Sequence, residues 1–131
     1  MVQCKWDNKE DSYMSFCWCT VHVKDLEASI RFYEDIVGLT VGRRFAGRNG
    51  SEIAFLGDGD TQLELIGGAG AFAGSGISVG FRVDDLDAKM AFVIDKGIAI
   101  HSGPIAPNPV TRFFFVQDPD GLLVQFVEQK A

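Results

Sequence analysis

The sequence predicts an α+β domain built from two βαβββ repeats. Three observations predict it. Shifted by sixty residues, the chain matches itself: "VKDLEASIRFYEDIVGLTV" from Val23 answers "VDDLDAKMAFVIDKGIAI" from Val83. In each copy a stretch with helical spacing is followed by runs that alternate apolar and polar. Each half has only about 50 residues, too few to bury a core alone, so the two are expected to pack as one domain.

The elements follow in order. A first strand is expected near 15–23 and a helix from about Leu26 to Val37, where Leu26, Ile30, Tyr33 and Val37 share a face. Asp25 is suited to the N-cap and Gly38 to the left-handed residue after the end. Three strands follow near 39–46, 51–56 and 61–66. "GGAGAFAGSG", 67–76, is too glycine-rich for either element and is read as the linker. The second repeat starts with a strand near 77–83, and Asp85, Leu86, Met90, Val93 and Gly97 restate the helix pattern. Its strands are expected near 98–102, 111–117 and 122–128. "GPIAPNP", 103–109, is read as a proline-stiffened loop, and "DPDG", 118–121, as a turn. Residues 1–14 form an N-terminal extension to a domain of 15–131, with modules at 15–66 and 77–129.

Composition excludes several classes. A net charge of −6 argues against nucleic acid. No apolar run reaches the roughly 18 residues of a membrane span. The polar start "MVQCKWDNKEDSYM" lacks a signal peptide's apolar segment, and three cysteines without framework spacing suit a reducing compartment, so a cytoplasmic location is expected.

"FCWCTVHV", 16–23, sets two cysteines beside a histidine, but strand alternation puts Cys17, Cys19, Val21 and Val23 on one face and Trp18, Thr20 and His22 on the other. A Cys–Cys–His metal site from this strand is therefore not expected; both cysteines read as small buried hydrophobes. The apolar face needs the helices as cover. The polar face gathers Trp18, Thr20 and His22 with Gln62 and Glu64, and, from the second repeat, Ser78, Arg82 and Gln125. An indole among polar groups suits a lined pocket better than a plain solvated face.

The two modules, the run "DLEASIRFYEDIVGL" and the closing "FFFVQDPDGLLVQFVE" resemble the vicinal oxygen chelate superfamily, which includes glyoxalase I, bleomycin-resistance proteins and extradiol dioxygenases. The resemblance spans about 15–129 and implies curved mixed sheets around a cavity, helices on the outer face, and a homodimer. In metal-using members the ligands come from the first and fourth strands of each module. Here those positions hold Trp18, Glu64, Ser78 and Gln125, of which only Glu64 matches. No metal cofactor is expected from such a set, although Glu64 leaves a divalent ion open.

Glu64 is the candidate catalytic residue, as general base or surviving metal ligand; the plain alternative is an ion pair with Arg82. Trp18 is either a stacking platform or packing. Thr20, His22, Gln62, Ser78, Arg82 and Gln125 are candidate ligand contacts, with His22 and Arg82 closer to ordinary strand residues. "GRR", 42–44, reads as a solvated strand end. The favoured function is a small-molecule-binding protein of the glyoxalase/bleomycin-resistance type. The alternatives are a lactoylglutathione-lyase-like lyase or isomerase, and a silent module kept for its dimer interface.

Overall fold

A computed structural model describes residues 14–130. The expected extension therefore lies outside the described residues apart from Met14. The order of elements is β1 (Trp18–Val23), α1 (Leu26–Phe32) running into a π-helical turn (Tyr33–Val37), β2 (Val41–Ala46), a short 3-10 turn (Arg48–Gly50), β3 (Glu52–Leu56), β4 (Gln62–Gly67), β5 (Ser78–Arg82), α2 (Leu86–Asp95), β6 (Ser102–Asn108), β7 (Thr111–Gln117) and β8 (Leu123–Gln129). The strands form two four-stranded mixed sheets, β1-β4-β3-β2 and β5-β8-β7-β6, each with one parallel pair, β1 with β4 and β5 with β8.

Local chemistry fixes the helix ends. Asp25 accepts a hydrogen bond from the Ala28 amide at 3.2 Å, and Asp85 does the same for Ala88 at 3.0 Å. Each satisfies a first-turn donor that has no partner inside the helix. Gly38 closes the π-helical turn at φ +96°, with its amide bonded to the Tyr33 carbonyl at 3.0 Å. The second helix carries an added restraint: buried Glu128 accepts from the Leu86 amide at 3.1 Å.

One core draws on both repeats. Val21, Val23, Leu63 and Leu65 of the first sheet belong to the same cluster as Leu86 of α2 and Phe114, Val124 and Phe126 of the second sheet. Tyr33 and Phe81 meet at 6.5 Å between ring centres. Lys89 of α2 donates to the Ile36 carbonyl of the π-helical turn, and burial lowers its pKa from the ordinary lysine value. The expected helix face is buried at Leu26, Ile30 and Tyr33, joined by Phe32 and Ile36.

The structure corrects the sequence reading in three places. The sixth strand covers Ser102–Asn108, where a proline loop was expected, and not 98–102. It tolerates Pro104 and Pro107 because it is the sheet's edge, where a missing N–H breaks no ladder, and its pairing with β7 shifts register twice. The first strand begins at Trp18, and Cys17, expected to be buried, precedes it and is exposed. The helix expected to run uniformly to Val37 widens into a π-helical turn after Phe32.

Candidate functional site

Strand pairing decides what shares the open face of the first sheet, since directly paired residues project to the same side. Thr20 pairs with Glu64, Glu64 with Phe55, and Phe55 with Arg43, so one row crosses all four strands. On one side of it lies the Trp18–Gln62 pair; on the other, the row His22–Ile66–Ile53–Phe45. The alternation expected of β1 is thus present: Val21 and Val23 are buried on the helix side, while Trp18, Thr20 and His22 are exposed.

Phe55 is the centre of this face. It is only 3% exposed because three side chains cover it. Trp18 meets it edge-to-face at 5.1 Å, Phe45 stacks at 6.1 Å, and the Arg43 guanidinium carbon lies 4.3 Å from its ring centre. Trp18 and Phe45 stay 43% and 42% exposed, so two aromatic edges flank the row at the surface. Beside them the Thr20 hydroxyl donates to Glu64 Oε1. That leaves the second carboxylate oxygen of Glu64 with no protein donor among the described residues.

The second sheet repeats the layout with different chemistry. Gly80 pairs with Gln125, Gln125 with Phe115, and Phe115 with Ser102. Gly80 stands where the first repeat has Thr20; a Cβ there would sit 3.1 Å from Gln125 Oε1, so the amide occupies the space the glycine leaves. Arg82 donates to Gln129 at 2.8 Å, not to Glu64. The alternative of a Glu64–Arg82 ion pair is therefore not formed: each side chain has its hydrogen-bonded partner within its own sheet.

The candidate residues divide between this face and a cleft. A cavity of about 570 Å³ lies between the start of the first sheet and β5, lined by Gln62 and Ser78 with Cys19, Leu56, Val79 and Phe81. A smaller one of about 130 Å³ adjoins it and reaches Thr20, His22 and Phe72. Gln62 is partly committed, since its amide donates to the Gly57 carbonyl at 3.0 Å. Trp18, Glu64, Arg82 and Gln125 line neither cavity. In one chain the row on the first sheet is therefore an open surface.

The sequence reading missed Arg43 and Phe55. Pairing of β2 with β3 slips between Val41 and Arg43, so Val41 faces the core while Arg43, two residues on, faces the open side. Strict alternation would have put both on one face. Arg44 falls on the helix side and hydrogen-bonds Glu27 and Glu52; its bond to Glu27 holds that carboxyl below its ordinary pKa.

Indole, carboxylate, hydroxyl and carboxamide at Trp18, Glu64, Ser78 and Gln125 do not fit a transition-metal centre. Trp18 is turned onto Phe55, Glu64 is engaged by Thr20, and no group of three His, Cys, Asp or Glu lies together among the described residues.

A sequence profile of the glyoxalase/bleomycin resistance protein/dioxygenase superfamily matches residues 15–126. The chain belongs to this superfamily. It is 32% identical over 123 residues to the uncharacterized protein YwbC of Bacillus subtilis, covering 83% of this chain and 93% of that protein. It is also 32% identical over 124 residues to a lactoylglutathione lyase of Haemophilus influenzae, covering 85% and 90%. Among solved structures, TnmS3, an antibiotic-binding protein from a Streptomyces species, superposes with TM-score 0.75 and 25% identity over 91% of this chain and 98% of its own. A mutant glyoxalase I from Zea mays superposes with TM-score 0.77 and 25% identity, and the chain spans 46% of that longer protein. The fold seen here, two four-stranded sheets each with its own helix, accords with that membership.

Proposed function

We propose that the chain is a small-molecule-binding protein of the glyoxalase/bleomycin-resistance type, which holds a planar ligand against Trp18 on the open face of the first sheet. The observation that carries this reading is the Trp18–Phe55–Phe45 cluster: two exposed aromatic edges over a buried ring, beside the Thr20–Glu64 pair. Similarity to an antibiotic-binding protein supports it. A second copy of the chain would close the open face, so we include a homodimer in the proposal, working in the cytoplasm. Ser78, Arg82 and Gln125 would then contribute from the facing module. No helix among the described residues is long and apolar enough to cross a membrane.

The test is calorimetric titration with 2-naphthamide, a neutral planar probe, against wild type and Trp18→Ala. Loss of an aromatic stacking partner costs about 1–3 kcal/mol, so the variant should bind roughly tenfold or more weakly. Equal affinity in the two proteins would remove Trp18 from the site.

The second reading is a lyase or isomerase with Glu64 as base or metal ligand. It is favoured by the 32% identity to a lactoylglutathione lyase. It requires lactoylglutathione turnover that Glu64→Gln abolishes. Protein dialysed against zinc, nickel and manganese in turn and then assayed decides between the two readings.

A further inference from the structure

We propose that Arg43 is an anion anchor, so that the molecule held on this face is planar and carries a carboxylate or a comparable anionic group. The inference rests on the reading of the face as a site for planar molecules, and adds the ligand's charge and its orientation.

Three observations carry it. First, Arg43 has no ion pair and no hydrogen-bonded partner among the described residues, whereas its neighbour Arg44 engages two carboxylates. Second, Arg43 is fixed all the same. Its guanidinium carbon lies 4.3 Å from the Phe55 ring centre and 5.5 Å from that of Phe45. Contact with two aromatic rings holds the group in place and leaves its N–H edge free to donate. Third, the β-bulge between Val41 and Arg43 is what brings this side chain to the open face. Without it the arginine would face the core side with Val41.

The row also sets an orientation. The backbones of Glu64 and Arg43 lie on opposite sides of Phe55, two strand spacings or about 9.5 Å apart, and the Arg43 side chain reaches back over the Phe55 ring. A ligand anion is repelled at the Glu64 end and attracted at the Arg43 end. A molecule with its anion at the Arg43 guanidinium and its ring system reaching toward Trp18 satisfies both, and a donor group on the side of Glu64 meets that residue's free oxygen. In a chain whose acidic residues outnumber its basic ones by 18 to 12, an arginine with no carboxylate partner among the described residues keeps its charge available to a ligand.

The test compares 2-naphthoate with 2-naphthamide, which share shape and differ in charge, by calorimetric titration of wild type, Arg43→Gln and Arg43→Lys. A charge-assisted hydrogen bond predicts that wild type binds the naphthoate about tenfold more tightly than the amide. Arg43→Gln should erase that preference, so that the two probes bind with like affinity, and Arg43→Lys should restore part of it. Equal binding of the two probes by wild type would overturn the anchor and leave the planar site standing. So would a preference that survives in Arg43→Gln, or a loss of both probes together in that variant. If neither probe binds wild type, the planar site fails and the anchor with it. If, in addition, Arg43→Gln dissociates the protein in sedimentation, the face seats a second copy in place of a ligand.

Discussion

Tyr33 donates its phenolic hydrogen to Asp118 Oδ2 at 2.7 Å, a buried bond that ties the first repeat's helical segment to the turn that closes the second. Asp118 also accepts from the amides of Asp120 and Leu122 at 2.9 and 3.0 Å, so one carboxylate organises the turn and receives the tyrosine. Tyr33 is fully buried, and burial, with the Asp118 charge beside it, holds its pKa well above the ordinary value. Tyr33→Phe leaves that carboxylate oxygen short of a donor and should lower stability by about 1–3 kcal/mol in urea denaturation. The sign of the pH effect follows. The unfolded tyrosine loses its proton near pH 10, while the folded one holds it to a much higher pH, so this contribution to stability is complete below the unfolded value and is lost progressively as pH rises from there toward the raised folded value. The fall in Tm between about pH 9 and 11 should therefore be steeper in wild type than in Tyr33→Phe.

Two glycines differ in what stands against them, a helix in one case and a neighbouring strand's flexible side chain in the other. A Cβ on Gly67 would lie 2.9 Å from the Leu26 Cβ, where α1 begins against β4. Gly67→Ala must push the helix off the sheet and should cost about 1–3 kcal/mol. A Cβ on Gly80 meets the end of the Gln125 side chain at 3.1 Å, which can swing away. Gly80→Ala should stay within about 0.5 kcal/mol of wild type. Equal losses in urea titrations of the two variants would contradict this picture of the packing.

Much of the fold was legible because it is written twice. Asp25 and Asp85 cap their helices as their spacing implied, and the β1 alternation holds residue by residue. What escaped has a common physical cause: it depends on the register between strands, which alternation within one strand does not reveal. The bulge after Val41 moves Arg43 to the open face, and Phe55 becomes part of the site only through its pairing with both Arg43 and Glu64. The sequence of β6 suggests a loop because a proline's effect depends on whether its strand lies at an edge, which only the sheet order decides.

Cys17 and Cys19 sit two residues apart but differ in access. Cys17 is exposed ahead of β1, while Cys19 packs against the core and is half-buried. Limited iodoacetamide treatment followed by peptide mass spectrometry should label Cys17 first, with Cys19 lagging until the protein is denatured. Equal labelling at early times would mean that the start of β1 opens readily.

Thr20 and Glu64 make the last prediction, because the hydroxyl and a ligand would compete for the same carboxylate. Thr20 donates to Oε1, and a donor group on the ligand is expected at the other oxygen. Glu64→Gln replaces a charged acceptor with a neutral amide and should weaken a planar probe bearing an amine, such as 2-naphthylmethylamine, by roughly tenfold, the scale of a hydrogen bond to a charged group. Thr20→Val removes the competing donor without removing the charge, so the same probe should bind no more weakly than to wild type. Both side chains are at least partly exposed, and neither variant should shift stability by more than about 0.5–1 kcal/mol. Parallel losses of affinity in both variants would mean that the pair acts as one polar support for β1 and β4. A loss confined to Glu64→Gln places the carboxylate in direct contact with the ligand.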